Sequence, residues 1–295
     1  MPPLKPRWWR PVSNYTEREL QAFLFDGGGN ASLFLEPRGE PGLIPADGVT
    51  AQVYSVPLTV YIGGITAVIL ELAEPRVRHG VWDHSIFPTD PVLRLKRTGL
   101  AAMVTFYGAA SVARQMIAEV NKKHAGVGGV TDGGAPYAAL DQELLHWVHG
   151  TAAFGFITAY STYVRPLNGA EWDMALREAQ PAARFYGVLD PPENKAQLDA
   201  LIADTLSDLE ASTTLTEFLT IMETTPTLPS LGRWLQPLFV RAAIDLVPPE
   251  VREVIGLGHH RLSGTERILV SALVRGSTRL NLRNHPRALA AQRMA

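Results

Sequence analysis

The sequence contains no cysteine, and this absence removes several classes of protein at once. A disulfide framework, thiolate-ligated iron, an iron–sulfur cluster and a cysteine nucleophile are all excluded for these 295 residues. An excess of charge of one sign is also missing, because 27 Lys and Arg residues oppose 29 Asp and Glu residues, for a formal net charge of −2. Without a basic run, we expect neither a nucleic-acid partner nor an anionic membrane surface as a partner.

Familiar catalytic motifs are absent as well. The chain has no G-x-x-x-x-G-K-[ST] loop, no H-E-x-x-H pair, no G-x-S-x-G elbow and no G-x-G-x-x-G after a strand. Nucleotide-binding, zinc-protease and esterase functions therefore have no support. The proline-containing first fifteen residues lack the continuous apolar core of a signal peptide, and we expect a soluble, cytoplasmic protein.

Apolar residues are plentiful, at 46% of the chain against 19% charged residues, which is enough for a sizeable core. One stretch, residues 48–70, carries no formal charge and is long enough to span a bilayer. It contains Pro57, Gly63 and Gly64, however, and runs directly into Glu71. We therefore interpret it as a buried core segment and expect no transmembrane span.

Apolar positions recur at helical spacing along most of the chain, which predicts an all-α protein with a single helical domain. Residues 1–50 are rich in Gly and Pro and predict an irregular lead-in with a short helix near 17–25, and residues 51–295 form the domain. Asp90 and Pro91 are typical of a helix start. The only candidate strand is the alternation at 50–61, and GGVTDGGAPY is interpreted as a loop. Helices are predicted at 65–73, 75–85, 92–108, 111–124, 140–164, 171–186, 195–209, 215–223, 231–246, 249–255, 265–280 and 285–295.

His124 ends a predicted helix and precedes a glycine-rich loop. A neutral imidazole there can ligate a metal through one nitrogen while the other nitrogen bonds a carbonyl, and the glycines allow backbone to approach a flat cofactor. The alternative is a histidine favoured at a helix C-terminus by the helix dipole.

Arg94 and Thr98 lie four residues apart on one predicted helix face, and Arg97 lies one turn from Arg94. An arginine and a hydroxyl on one face can bond a haem propionate, or bound dioxygen and its products. The alternative is a solvated basic face around the run RLKR.

Two further histidine clusters are candidates. Glu143, His146 and His149 include a Glu-x-x-His spacing used by di-iron proteins, although a second such pair is missing. The alternatives are a solvent-exposed acid and a hydrogen-bonded core histidine.

The run RHGVWDHSIF brings together His79, Asp83 and His84. These residues suit general acid–base chemistry or a local hydrogen-bond network.

Several of these features occur in one order that resembles a known family. The run GGITAVILELAEPRVRHGVWDHSIFPTDPVLRLKRTGLAAMVTFYG, the histidine before V-x-G, PYAALDQELLHWVH, YGVLDPP and the closing HPRALAAQR resemble the catalytic domain of the MpaB/latex-clearing (rubber) oxygenases. The similarity covers roughly residues 60–290, and it is the shared order and spacing that make it specific.

The resemblance implies an all-α fold with a globin-like haem-binding core, b-type haem held by one histidine, and use of dioxygen to cleave carbon–carbon double bonds in polyisoprene or prenyl chains. By position, His124 matches the iron ligand, and Arg94 and Thr98 match an arginine and a threonine near the haem. We also assign Arg97 and Tyr137 to the cofactor site. His149 and His84 join Arg94 and Thr98 as candidate catalytic residues.

The sequence departs from the family at one position. Rubber-cleaving members can present a lysine just before the threonine as a second iron ligand, whereas this chain has Arg97, which stays protonated and cannot ligate iron. The region of the family's catalytic glutamate contains His84 instead of an acid.

We therefore expect a haem b-dependent oxygenase that acts with dioxygen on an apolar or aromatic small molecule. Two alternatives stay open: a non-haem iron enzyme built on Glu143, His146 and His149, and a haem-binding helical protein without turnover.

Overall fold

The structure is a computed structural model that describes residues 9–25, 30–228, 230–280 and 282–295. This part of the chain is mostly helical, with one two-stranded sheet, so the predicted all-α class is confirmed. The helices are α1 (Trp9–Phe25), α2 (Ser32–Leu35), α3 (Val49–Val53), α4 (Pro57–Ala73), α5 (Pro75–Trp82), α6 (Pro91–Tyr107), α7 (Ala110–His124), α8 (Gln142–Tyr163), α9 (Gly169–Phe185), α10 (Lys195–Thr205), α11 (Thr213–Thr224), α12 (Gln236–Leu246), α13 (Pro249–Val254), α14 (Gly264–Ser277) and α15 (Pro286–Arg293), and the strands are β1 (Gly128–Val130) and β2 (Pro136–Ala138).

Helices α4 and α8 form the centre of the molecule. They cross at Gly63 and Gly155, where a Cβ added to Gly63 would lie 2.7 Å from the carbonyl oxygen of Gly155. Only glycine permits two backbones to approach so closely. Gly64 lies beside Phe156 farther along the same pair. The uncharged segment 48–70 thus forms α3 and most of α4, and it is largely buried in the protein core.

Helix starts follow the capping chemistry that the sequence indicated. The Asp90 side chain accepts a hydrogen bond from the Leu93 amide, and Pro91 occupies the first turn of α6. The proline break is also confirmed, because α4 ends at Ala73 and α5 begins at Pro75.

The prediction of a loop without strands at GGVTDGGAPY was wrong, and the only candidate strand is not a strand. The loop GGVTDGGAPY contains the antiparallel hairpin β1–β2, in which Gly129 faces Tyr137. The alternation at 50–61 instead belongs to α3 and α4. Glycine-rich strands lack the branched and aromatic side chains by which a strand is recognised in sequence.

The lead-in is more ordered than its composition indicated. Helix α1 begins at Trp9, eight residues earlier than predicted, and Phe34 of α2 is fully buried. Arg293 of α15 donates to the carbonyl oxygens of Phe34 in α2 and Tyr107 in α6, each at 2.8 Å. These bonds connect the C-terminal helix to α2, near the start of the chain, and to α6.

In the described part of the chain, no individual helix combines the length and the apolarity needed to cross a bilayer. The pair α4 and α5 meets those criteria only when the two are taken together, and it is bent by 114° at their junction.

Candidate functional site

We infer open space between two helix pairs from the packing and the burial of their residues, and we call this space the central cleft. Helices α4 and α8 pack tightly on each other, and α6 packs on α7, but within the described chain neither α6 nor α7 makes extensive backbone contact with α4 or α8. Half-buried residues recur at helical spacing along one face of each central helix. Incomplete burial in the middle of the fold indicates open space there. These residues are Gly64, Val68 and Glu71 on α4 and Leu145, His149, Ala152 and Phe156 on α8.

Glu71 is the acid of the central cleft. Burial raises the pKa of its carboxyl group to about 7, although Arg94 and the hydroxyl of Thr151 both act to lower it. The Glu71 residue as a whole is half-buried, but its carboxyl group is strongly desolvated. This combination is typical of a side chain that points into an enclosed space. At neutral pH it therefore exchanges readily between its acid and carboxylate forms.

Arg94 faces Glu71 from α6 without a salt bridge between them in the described structure. Burial lowers the pKa of the guanidinium, while the charge of Glu71 acts in the opposite direction. Desolvation thus disfavours the charged form of both groups, and their mutual attraction does not compensate for it.

His149 lies on the face of α8 that also carries Leu145, Ala152 and Phe156. Its Nε2 atom is buried and has no hydrogen-bond partner among the described residues. Burial, with a smaller effect from His146, lowers the pKa of the ring to about 4, so the imidazole is neutral at physiological pH. A buried polar atom without a partner is uncommon, and it points to a ligand or a water at that position.

His124 is half-buried at the end of α7. Burial and the nearby positive charge of Arg94 lower the pKa of its ring, which favours the neutral, ligating form. The charge of Arg94 thus acts on the pKa of both Glu71 and His124, so both residues lie near Arg94. We call Glu71, Arg94, His124 and His149 the cleft set.

The remaining candidates on α6 lie at the surface. Thr98 is exposed, and its hydroxyl donates to the carbonyl oxygen of Arg94 at 2.9 Å, which is a bond within the helix. It shares a helix face with Arg94 and Thr105 at spacings of four and seven. Arg97 is exposed, and its charge acts on Arg94.

A second group of predicted residues gathers elsewhere, around α5 and the hairpin. His79 Nδ1 lies 2.8 Å from Asp83, and His84 Nε2 lies 3.1 Å from the hydroxyl of Tyr137. His79 also packs its ring 6.3 Å from that of Tyr137. We call these four residues the surface set. His84 and Tyr137 thus contact each other and α5, and the structure does not place either residue in the cleft set.

The alternative iron site is not assembled. Glu143 is exposed and binds Arg76 through both carboxylate oxygens at 2.9 and 3.0 Å. Among the described residues, no three His, Cys, Asp or Glu side chains converge as metal ligands would.

Sequence reasoning did not single out Glu71. The residue served only to mark where an uncharged segment ends. The sequence did contain one indication of a site: Glu71 is the only acid in ITAVILELA, a segment that is apolar on every helical face. A charge in such a helix must be buried or line a cavity.

Comparison with known proteins gives one match. Residues 51–279 match the family model described as ER-bound oxygenase mpaB/B'/Rubber oxygenase, catalytic domain. Neither the curated proteins nor the solved structures contain a match. Because the family model covers most of the chain and includes the whole cleft set, the protein belongs to the mpaB/rubber oxygenase catalytic-domain family.

Proposed function

We propose that this oxygenase-family protein depends on haem b, held by His124, and uses dioxygen to oxidise an apolar small molecule. The observation that carries the proposal is the cleft set itself: Arg94, whose charge acts on both the titratable Glu71 and His124, and the Nε2 atom of His149, which has no partner among the described residues. In this proposal, α4, α6, α7 and α8 form a globin-like cradle around the porphyrin.

The donor set fits haem better than it fits a bare metal ion. A non-haem iron site needs about three side-chain ligands, such as two histidines and a carboxylate. The described residues offer no such group. Haem brings four ring nitrogens of its own and needs only one or two protein ligands. A single neutral His124 at the edge of a cleft meets that requirement.

Residues of α6 would secure the cofactor and the oxygen. Arg94 presents a desolvated cation inside the central cleft, and Thr98 follows one turn later on the same face. Arg97, at the exposed side of α6, would pair with an acidic group of the cofactor.

Glu71 and His149 would act on the substrate. Haem iron, when bound, would supply the binding and activation of dioxygen. A carboxyl group with a pKa of about 7 can take or give a proton at neutral pH, which is the requirement for general acid–base work. His149 stays neutral, and its Nε2 atom is available to orient a polar group.

The test is a spectrum and a pyridine-haemochrome assay of protein purified from iron- and haem-supplemented cells. We expect a Soret band and about one haem per chain. The variant His124→Ala should lose haem at least 100-fold more readily, whereas the matched variant His260→Ala, which alters an exposed turn residue, should retain it. A colourless protein that takes up no haemin, or equal retention by both variants, would overturn the proposal.

A further inference from the structure

Thr151 of α8 lies beside the acid of the central cleft, one turn from the close crossing of α4 and α8. At that crossing, a Cβ added to Gly155 would lie 3.0 Å from the backbone nitrogen of Ala67. Glu71 follows Ala67 by one turn of α4, and Thr151 precedes Gly155 by one turn of α8. The two side chains meet there, since the hydroxyl of Thr151 acts on the Glu71 carboxyl group as a hydrogen-bond partner.

The Thr151 hydroxyl has two possible acceptors and a single proton to donate. Thr151 is fully buried, so the protein must supply its partners. In the structure its hydroxyl donates to the carbonyl oxygen of Val148 at 2.9 Å. That carbonyl also accepts the helical amide of Ala152, so it keeps a partner when the hydroxyl turns away. The carboxylate of Glu71 is the second acceptor.

Few other groups act on the Glu71 carboxyl group. The guanidinium of Arg94, on α6, is the charged group that acts on its pKa. Helices α11, α12 and α14 also pack on α4, but in the described part of the chain none of their charged groups contributes. The buried Thr66 of α4 has no such acid beside it, and its hydroxyl bonds backbone carbonyl oxygens. Thr151 is therefore the uncharged partner that can respond to the proton of Glu71.

We propose that Thr151 is a positioning residue whose hydroxyl proton turns from the carbonyl oxygen of Val148 to the carboxylate of Glu71 whenever Glu71 is ionised. When Glu71 carries its proton, the bond reverses: the carboxyl O–H donates to the Thr151 oxygen, which donates in turn to Val148. One carboxyl oxygen is held against α8 in both forms, and the other is left for the central cleft. The use of this orientation in the reaction rests on the proposed oxygenase function, whereas the coupling of the hydroxyl to the Glu71 proton does not.

The experiment is an infrared pH titration of the purified full chain, in which the protonated-carboxyl band that is missing from Glu71→Gln reports Glu71. Thr151→Val keeps the shape of the side chain but cannot donate, so the titration midpoint of Glu71 should rise by about one pH unit, a tenfold change in its acid constant. Thr151→Ala, which also lacks the hydroxyl, should give a similar rise. Thr151→Ser should restore the wild-type midpoint. The matched control Thr158→Val removes a buried hydroxyl that has no partner among the described residues of the fold, and it should leave the midpoint unchanged.

An unchanged midpoint in Thr151→Val and Thr151→Ala would overturn the proposal. An equal rise in Thr158→Val, or no reversal by Thr151→Ser, would also overturn it, since the shift would then come from packing. In protein that binds haem and consumes dioxygen, the pH dependence of the rate should move with the midpoint, and a rate profile that stays in place would reject the use of this orientation in the reaction. Midpoints that shift as expected in a colourless protein would reject the haem proposal alone.

Discussion

The cleft set and the surface set contain the same kinds of side chain in opposite conditions. In the surface set, each histidine has a hydrogen-bond partner: Asp83 for His79 and Tyr137 for His84. In the cleft set, burial moves the pKa values of Glu71, Arg94, His124 and His149, and the Nε2 atom of His149 has no partner among the described residues.

The difference shows what identifies a site. A satisfied polar cluster stabilises local structure and requires nothing more, whereas desolvated groups without partners have a free-energy cost that a ligand can offset. Four variants, three of them with a matched control, test this comparison, from the largest expected effect to the smallest.

Breaking the frame that holds the cleft set should have the largest effect. Gly63→Ala places a methyl group against the backbone of Gly155, so α4 and α8 must separate, and we expect a loss of about 3 kcal/mol in the free energy of unfolding. Gly64→Ala meets only the ring of Phe156 at ordinary contact distance and should gain about 0.5 kcal/mol from helix propensity. Urea denaturation measures both, and similar losses would contradict the close crossing.

Removing the cleft acid should stabilise the protein at alkaline pH. The pKa of Glu71 is about 7 in the folded protein against an ordinary 4.5, so the folded state binds the proton more tightly, and stability falls as the pH rises from 4.5 through 7. Glu71→Gln should therefore add about 2–3 kcal/mol at pH 9, and little at pH 4.

The matched surface variant should have the opposite sign. Glu143→Gln breaks the exposed pair with Arg76 and should cost less than about 1 kcal/mol at pH 9. Denaturation of both variants at the two pH values measures the contrast, and a loss of stability by Glu71→Gln at pH 9 would refute the buried position of that carboxyl group.

His149 should make the protein less stable as the pH falls. Its pKa is about 4 in the folded protein and ordinarily 6.5, so its neutral form is favoured by folding, and the stability it contributes is lost as the pH falls from 6.5 through 4. His149→Gln should reduce the loss of stability between pH 7 and pH 4 by about 2 kcal/mol. His260→Gln, at an exposed residue, should leave that loss unchanged, and identical pH profiles for wild type and His149→Gln would count against the buried ring.

The surface set should give the smallest effect. Asp83→Asn weakens a pair in which the carboxylate is 51% exposed, and we expect a change of less than about 1 kcal/mol with no change in haem content. A loss of haem in this variant would show that the two sets are coupled, and the contrast between them would then fail.

Local chemistry made most of the helices predictable. Asp90 with Pro91 and the proline break at Pro75 mark helix ends through backbone geometry that nearby residues determine. His124 was placed correctly at the end of α7 by the basic residues and glycines around it.

Burial could not be predicted in the same way. Whether Glu71 or Glu143 faces water depends on which helix packs beside it, and that is a property of the tertiary fold. The hairpin was missed because two of the three residues of β1 are glycines, and glycine carries no strand preference. The role of His124 as an iron ligand stays a prediction.

The contact of Gly63 with Gly155 also limits how this cleft can change during evolution. Because α4 and α8 touch backbone to backbone there, the two helices cannot slide past each other, and their register is fixed at that point. A deletion of one residue between Gly64 and Glu71 would turn the carboxylate by about 100° around α4 and remove it from the cleft. The six residues between Gly64 and Glu71 therefore set the direction in which the carboxylate points, and their number cannot change without moving it.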